Sequence, residues 1–179
     1  MTKYVGFTGQ ARAGKSTAAH VLRDVMQGDV VVCSFADPMR AMLMALYKAA
    51  GIDHHDALEF LKSYKSVNVP IMGRSSRYML QTLGTEWGRD CVKQTLWIDI
   101  AMRERPEDVV IFDDVRFDNE ADAIRRAGGL IVHVHRETGE DRMAHSSENG
   151  VTWRDVDYEL CCDIDHLRDA MIEIAAVLE

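Results

Sequence analysis

The fold is decided by the segment Gly9-Gln10-Ala11-Arg12-Ala13-Gly14-Lys15-Ser16, which fits the pattern G-x-x-x-x-G-K-[ST] at every specified position. It follows a short β-rich run, residues 3–8, and opens a segment, residues 15–26, whose apolar residues recur at helical spacing. Two glycines let the backbone curl so that successive N–H groups point at phosphate oxygens. The dipole of the following helix favours the same anion. The segment therefore predicts a strand, a phosphate-binding loop and a helix.

This loop predicts binding of ATP together with Mg2+. We expect Lys15 to reach the β- and γ-phosphates and the Ser16 hydroxyl to take a place on the metal ion. The remaining loop positions would contribute main-chain N–H groups, among them Gly9, Arg12, Ala13 and Gly14. The alternative is a glycine-rich turn with an accidental lysine. The strand before the motif and the helix after it argue against that alternative.

Continuous apolar runs alternate with helical patterns along the rest of the chain. Residues 30–35, 109–112 and 130–135 read as strands buried in a parallel sheet, and a weaker strand near 158–162 precedes a closing helix, 166–178. This alternation predicts an α/β, three-layer P-loop NTPase fold in one domain, residues 1–179. Residues 51–105 are expected to form a helical insertion, because their apolar content is modest for a separate core. Within it we expect helices over 55–62, 75–89 and 95–104, with a polar loop between the first two.

Composition excludes several classes of protein. An apolar fraction of 47% and a charged fraction of 28% are ordinary for a soluble globular chain. The net charge of −8 argues against a nucleic-acid binder or a polybasic membrane binder, while a small anionic substrate needs only a local basic pocket. We find no membrane span, no signal peptide and no zinc-like spacing among the four cysteines, so a cytoplasmic protein is expected.

Two aspartates follow the apolar run at residues 109–112. A P-loop protein needs a carboxylate at the end of a neighbouring strand to hold Mg2+ or its waters, and either Asp113 or Asp114 could supply it. Because side chains alternate along a strand, we expect only one of the two to face the site. The alternative is that both simply cap a loop.

Arg116 lies just beyond this strand, where open α/β sheets place ligand contacts. It is therefore a candidate catalytic and substrate-binding residue. The alternative is a surface salt bridge to Asp113 or Asp118. Glu120, further along, reads as a helix-start residue rather than as a ligand.

The insertion carries arginines placed to hold an anionic acceptor. Arg77 and Gln81 are four residues apart and thus share one helix face, where guanidinium could bind phosphate and the amide could read a base edge. Both could instead lie on a solvated face. Trp87 could stack on a base or belong to a core. Asp37 with Arg40 follows the second strand, although Asp37 could act only as a helix N-cap.

The chain resembles the deoxynucleoside monophosphate kinases of bacteriophages, within the wider group of nucleoside monophosphate kinases. The resemblance is carried in the family's order by GFTGQARAGKST, SFADPMRAML, YMLQTLGTEWGRD, VVIFDDVRFDNEADAIRRAGGLIVHVHR and AHSSE, from residue 6 to residue 148. The stretches LGTEWGR and DVRFDNEA are much more specific than the phosphate loop. Beyond Val151 the match is loose.

This resemblance implies transfer of the ATP γ-phosphoryl group to a deoxynucleoside 5′-monophosphate, giving the diphosphate and ADP. It implies a core sheet, a helical monophosphate-binding region at 51–105 and a short lid at about 136–152. Gly14, Lys15, Ser16 and Thr17 would hold ATP and Mg2+. The residues implied on the monophosphate side are Asp37, Arg40, Lys65, Arg77, Gln81 and Arg116, with Arg136 in the lid. A phage enzyme of this kind would act in the host cytoplasm, and a homodimer is compatible with the sequence.

Two other functions remain open from the sequence. One is a different small-molecule P-loop kinase, similar to dephospho-coenzyme A kinase, whose loop and early strands look alike. The other is a P-loop protein that changes with nucleotide state without phosphorylating a small molecule. The LQTLGTEWGR stretch argues against the first. The arginine-containing insertion and the absence of a guanine-reading [NT]-K-x-D motif argue against the second.

Overall fold

The computed structural model describes residues 2–103, 106–135, 151–152, 154, 157–161 and 166–178. They form two compact units, which we call the sheet unit (described residues of 1–35 and 104–179) and the helical unit (residues 36–103). The described elements, in chain order, are β1 (Lys3–Thr8), α1 (Lys15–Val25), β2 (Val30–Cys33), α2 (Asp37–Ala49), α3 (His54–Lys62), β3 (Asn68–Val69), β4 (Arg74–Ser75), α4 (Ser76–Thr82), a π-helix (Leu83–Val92), α5 (Leu96–Ala101), β5 (Val109–Phe112), α6 (Asp118–Arg126), β6 (Leu130–His135), β7 (Tyr158–Cys161) and α7 (Leu167–Leu178).

The sheet unit is built on a five-stranded sheet in the order β2-β5-β1-β6-β7. Every neighbouring pair is parallel. Parallel strands need helical crossovers, so both faces are covered. On one face α1 and α7 pack over Val5, Phe7, Val132 and Val134. On the other face Ile124 of α6 lies against Gly6. The predicted α/β class and parallel sheet are confirmed, and the strand–loop–helix order at the phosphate loop identifies the P-loop NTPase fold.

The strand β2 differs from its prediction in length and burial. It ends at Cys33 rather than at residue 35, and all four of its residues are only half-buried. The reason is its place at the end of the strand order, where it has one neighbour instead of two. By contrast β5, which lies between β2 and β1, is buried throughout.

The helical unit has its own small core, formed by Leu43, Tyr47, Ala57, Leu61 and Val69. The buried Tyr47 hydroxyl pairs with the Ser76 hydroxyl at 2.6 Å, which satisfies both polar groups. The unit begins at Ala36, earlier than the insertion expected at 51–105, because the apolar face of α2 supplies Leu43 and Tyr47 to this core.

Local structure in this unit departs from the sequence prediction at two places. The antiparallel hairpin of β3 and β4 lies where only a polar loop was expected. The predicted helix over 75–89 is α-helical only to Thr82 and continues as a π-helix to Val92.

Trp97 and Met39 explain the two glycines of the π-helix. The Trp97 side chain is buried, and its indole N–H donates to the Gly84 carbonyl oxygen at 2.8 Å. A Cβ atom at Gly88 would lie 2.4 Å from the Trp97 ring, and one at Gly84 would lie 2.9 Å from the Met39 sulfur. The specific LGTEWGR stretch thus contains a surface of glycine backbone on which a tryptophan ring packs.

In the part of the chain that the structure describes, we find no helix with both the length and the apolar character needed to cross a membrane.

Candidate active site

The phosphate loop combines three residues whose backbone lies in the left-handed region. Gly9, Arg12 and Gly14 have φ angles of 138°, 67° and 103°. Alternation between left- and right-handed residues turns successive amides toward one side, which produces an anion-binding concavity. Gly9 is required for a second reason, since a Cβ atom there would lie 2.2 Å from the Val134 carbonyl oxygen of β6. The first loop position is therefore packed directly on the sheet.

Lys15 begins α1 and bends back over the loop. Its ammonium group donates to the carbonyl oxygens of Gly9 and Gln10, both at 2.9 Å. It also lies 3.6 Å from a carboxylate oxygen of Asp114, and its side chain is only 11% exposed. The positive charge is thus held at the loop, beside the N-terminus of an eleven-residue helix.

Ser16 and Asp113 join the loop to the next strand. The Ser16 hydroxyl donates to Asp113 Oδ2 at 3.0 Å, across 97 positions of sequence. Asp113 comes directly after β5, which is hydrogen-bonded to β1, so the sheet itself brings the carboxylate to the loop.

Both aspartates reach the loop, which corrects the expectation that only one would. Asp113 accepts from Ser16, while Asp114 lies beside Lys15. Side-chain alternation holds only within an extended strand, and β5 ends at Phe112, before either aspartate. The bend beyond the strand end turns the two carboxylates to neighbouring partners.

Arg116 pairs with Asp114. Its Nε and Nη2 atoms both lie 2.7 Å from Asp114 Oδ2, and its side chain is 65% exposed. A salt bridge of Arg116 is therefore present, as the alternative from the sequence allowed, and Asp114 is a partner that the sequence argument did not name. One carboxylate at the loop thus lies between two cations, Lys15 and Arg116.

The arrangement fits a magnesium ion. Mg2+ prefers hard oxygen ligands about 2.1 Å away in octahedral geometry, which separates adjacent ligands by about 3.0 Å. Ser16 Oγ and Asp113 Oδ2 are 3.0 Å apart, so one ion could contact both with little movement of either. In the described residues no group of three or more His, Cys, Asp or Glu side chains is placed to hold a metal ion.

A buried ionic cluster, unnoticed in the sequence, lies behind the loop. Asp157 accepts from Arg125 Nε at 2.9 Å, from the Arg154 amide at 2.9 Å, and pairs with His133 Nε2 at 2.9 Å. Burial alone would raise the pKa of Asp157, but the hydrogen bonds from Arg125 and His133 outweigh it, and the pKa is lowered. His133 is the register partner of Thr8, the residue that enters the loop.

The acceptor-side candidates of the helical unit lie at its surface. Arg77 and Gln81 are exposed on α4 and share one face, as predicted. Lys65 is also exposed, and its carbonyl oxygen accepts from the Arg77 amide at 2.8 Å, so the backbones of these two basic residues are adjacent. Asp37 and Arg40 form an exposed ion pair at 2.6 Å.

Trp87 is a surface residue, with 44% of its side chain exposed, and the alternative that it belongs to the core is wrong. The core tryptophan of this region is Trp97, against which Trp87 is tilted with ring centroids 6.1 Å apart.

The helix α2 begins at Asp37 itself, with Ala36 in the N-cap position, so the alternative of Asp37 as N-cap is also not observed. Arg136 and the segment 136–150 lie outside the described residues, so the lid at about 136–152 stays a prediction.

Fold and site together define a P-loop nucleotide-binding protein, with a carboxylate from a neighbouring strand at the Ser16 hydroxyl. The chain belongs to the deoxynucleotide monophosphate kinase family, a family of phosphotransferases, whose model matches residues 56–168. That match excludes the phosphate loop, so loop and family are independent observations.

Two named relatives agree with this family. A protein of Acanthamoeba polyphaga mimivirus, provisionally named a deoxynucleotide monophosphate kinase, is 28% identical over 158 residues, covering 80% of this chain and 79% of its own length. The deoxynucleoside-5′-monophosphate kinase of Escherichia phage T5 is 30% identical over 110 residues, covering 56% of this chain and 44% of its own length. A sugar kinase from Janibacter sp. HTCC2649, solved without ligand, superposes with a TM-score of 0.42 at 13% identity, over 99% of this chain and 94% of that chain.

Proposed function

We propose that this protein transfers the γ-phosphoryl group of ATP to a deoxynucleoside 5′-monophosphate, giving the deoxynucleoside diphosphate and ADP, with Mg2+. The observation that carries the proposal is the Ser16–Asp113 hydrogen bond beside Lys15, because a hydroxyl, a carboxylate and an ammonium group then lie together at the loop that would bind a metal-bound triphosphate. Membership of the deoxynucleotide monophosphate kinase family supports the choice of acceptor.

The loop would bind the triphosphate mainly through its backbone. The left-handed residues at Gly9, Arg12 and Gly14 present amides to phosphate oxygens, and the first turn of α1 adds the Ser16 and Thr17 amides. Bound Mg2+ would neutralise charge on the β- and γ-phosphates, and the residues that would hold it are Ser16 and Asp113. The geometry favours Asp113 over Asp114 for this role, since only the former is hydrogen-bonded to the hydroxyl.

Asp114 would organise the two catalytic cations, Lys15 and Arg116. Its two oxygens face different partners, Oδ1 the ammonium group and Oδ2 the guanidinium group. Phosphoryl transfer spreads negative charge over the equatorial oxygens of the moving group, so its catalysis consists largely of positioning and charge neutralisation. Lys15 and Arg116, both held by Asp114, would supply this positioning and this charge neutralisation. No side chain is required to act as a strong base.

The helical unit would bind the monophosphate. Arg77 can bind phosphate bidentately, and the neighbouring Lys65 adds a second positive charge. Gln81, on the same helix face, can donate to and accept from a base edge. The exposed ring of Trp87 offers a surface for stacking. Asp37 and Arg40 remain acceptor-side candidates, and Arg136 remains a candidate contact to the phosphates.

The test is ADP release coupled to product identification with a panel of acceptors. We expect one diphosphate formed for each ADP with at least one deoxynucleoside monophosphate, and no turnover after chelation of Mg2+. The panel includes dephospho-coenzyme A and a reaction without acceptor. Turnover with dephospho-coenzyme A alone would refute the proposal, as would slow ATP hydrolysis that no monophosphate changes.

A further inference from the structure

Glu120 has a buried carboxylate that has no part in the proposed binding of ATP or of the monophosphate. It lies in the first turn of α6 and is 3% exposed. Its Oε2 atom accepts from the main-chain amide of Arg116 at 2.9 Å and from that of Phe117 at 3.2 Å. A charged acceptor at a helix N-terminus strengthens both bonds, because amide donors and helix dipole act on the same oxygen.

The position of Arg116 depends on this turn. On its N-terminal side, Val115 is buried and its amide donates to the Phe7 carbonyl oxygen of β1 at 2.9 Å. On its C-terminal side, Glu120 holds the amides of Arg116 and Phe117. The Arg116 side chain itself is 65% exposed, so core packing does not orient it. These main-chain hydrogen bonds therefore fix the backbone from which the side chain extends.

We propose that Glu120 is a positioning residue for phosphoryl transfer: its carboxylate fixes the backbone at Arg116 and Phe117 and so keeps the Arg116 guanidinium at Asp114, beside the phosphate loop. This inference rests on the proposed function, in which Arg116 contacts the transferred phosphoryl group. Displacement of a charge-neutralising group by about 1 Å can lower a rate a hundredfold, so a backbone contact of this kind can control catalysis.

A control carboxylate lies two residues further along the same helix, at Asp122. The Asp122 carboxylate accepts from Arg125 Nη1 at 3.0 Å and pairs with Arg154 Nη2 at 2.7 Å. Loss of Asp122 removes ionic contacts of α6 without touching the amides of Arg116 or Phe117. If Glu120 acts only by stabilising the helix, Glu120→Ala and Asp122→Ala variants should behave alike.

The experiment measures kcat and both KM values for Glu120→Ala, Glu120→Gln, Asp122→Ala, Arg116→Ala and the Arg116→Ala/Glu120→Ala double variant. We expect kcat to fall about tenfold in Glu120→Ala and about a hundredfold in Arg116→Ala. KM for ATP should stay within about twofold, and the double variant should match Arg116→Ala because the two residues act as a unit. Glu120→Gln keeps an oxygen acceptor and should recover most of the rate, while Asp122→Ala should retain it.

A second readout does not depend on turnover. The Arg116 Nε–H group has its own signal in 15N-resolved NMR spectra, and its exchange with water reports the contact with Asp114. We expect faster exchange in Glu120→Ala but not in Asp122→Ala. Equal losses of kcat for Glu120→Ala in the presence and absence of Arg116, or unchanged Nε–H exchange, would overturn the inference. Failure of the wild-type protein to use any deoxynucleoside monophosphate would instead refute the proposed function, and the NMR comparison would still decide whether Glu120 holds Arg116.

Discussion

Replacement of Asp157 by alanine removes the centre of the buried ionic cluster in the sheet unit. The Asp157 side chain is fully buried, and it holds Arg125 of α6, His133 of β6 and the amide of Arg154. The Arg125 side chain is itself only 10% exposed, so its charge would stay in a poorly hydrated place. The expected loss in the free energy of unfolding is therefore that of leaving a buried charge unpaired, which exceeds the loss of one surface ion pair.

The size of the effect follows from which partners remain. Breaking a buried pair by removal of one member costs about 3–5 kcal/mol. Arg125 would keep its contact with Asp122 at 3.0 Å, which places the expected loss near the lower end, about 3 kcal/mol. For a chain of this size, that corresponds to a fall in Tm of about 6–12 °C. Asp122→Ala removes a more exposed carboxylate and should cost about 1 kcal/mol or less.

Thermal and urea denaturation, each followed by circular dichroism, measure the Tm and the free energy of unfolding of both variants under the same conditions. A fall in Tm of less than about 2 °C for Asp157→Ala, or equal losses for the two variants, would refute the view that the cluster is a buried and coupled unit. The slopes of the urea curves should match that of the wild type, which shows that the comparison concerns the same unfolding transition.

The pH dependence of this contribution has a definite sign. The pKa of Asp157 in the folded protein lies below its ordinary value of 3.8. A carboxyl group with a depressed pKa stabilises the fold above its unfolded pKa, and this stabilisation is lost as pH falls through the folded value. The difference in unfolding free energy between the wild type and Asp157→Asn should therefore shrink as the pH falls below about 4.

Four further variants test the site and the helical unit. Lys15→Ala should lower kcat about a thousandfold in the ADP-release assay while leaving Tm in place, and near-normal turnover in the folded variant would contradict its role. Arg77→Ala should raise KM for the monophosphate about tenfold and KM for ATP by less than about twofold; the reverse pattern would remove it from the acceptor site. Asp113→Asn should raise about tenfold the Mg2+ concentration at half-maximal rate, and an unchanged requirement would argue against it as a ligand. Gly88→Ala should cost about 1–3 kcal/mol in urea denaturation, because its Cβ atom would lie 2.4 Å from the Trp97 ring, and an unchanged midpoint would show that the ring can move.

The sheet was predictable because its signals are local. Continuous apolar runs such as residues 109–112 and 130–135 mark buried parallel strands, and the phosphate-loop pattern sets the order of strand, loop and helix. The π-helix was not predictable in this way, since its apolar spacing resembles that of an α-helix. The close approach of Trp97 to Gly88 depends on two segments meeting, which no short window of sequence contains.

The residues of the phosphate loop and of the following strand end were predictable from the sequence, whereas the contacts among them were not. The motif identified Lys15 and Ser16, and the strand end identified Asp113 and Asp114, yet the division of partners between the two carboxylates depends on a bend beyond β5. Glu120 carried a weak signal as the third residue of a helix, but Phe117 before that helix is not a usual capping residue, so the capping pattern was hidden.

The two tryptophans of the helical unit, Trp87 and Trp97, also give that unit intrinsic fluorescence and circular dichroism signals. Trp97 is shielded, with its N–H bound to a carbonyl, whereas Trp87 is partly in water, so their emission should differ in wavelength and in access to iodide. Their rings lie 6.1 Å apart at an interplanar angle of 41°, a separation and tilt at which the electronic transitions of two indoles couple. Such a pair is expected to give a near-ultraviolet circular dichroism band that reports on the π-helix without any added label.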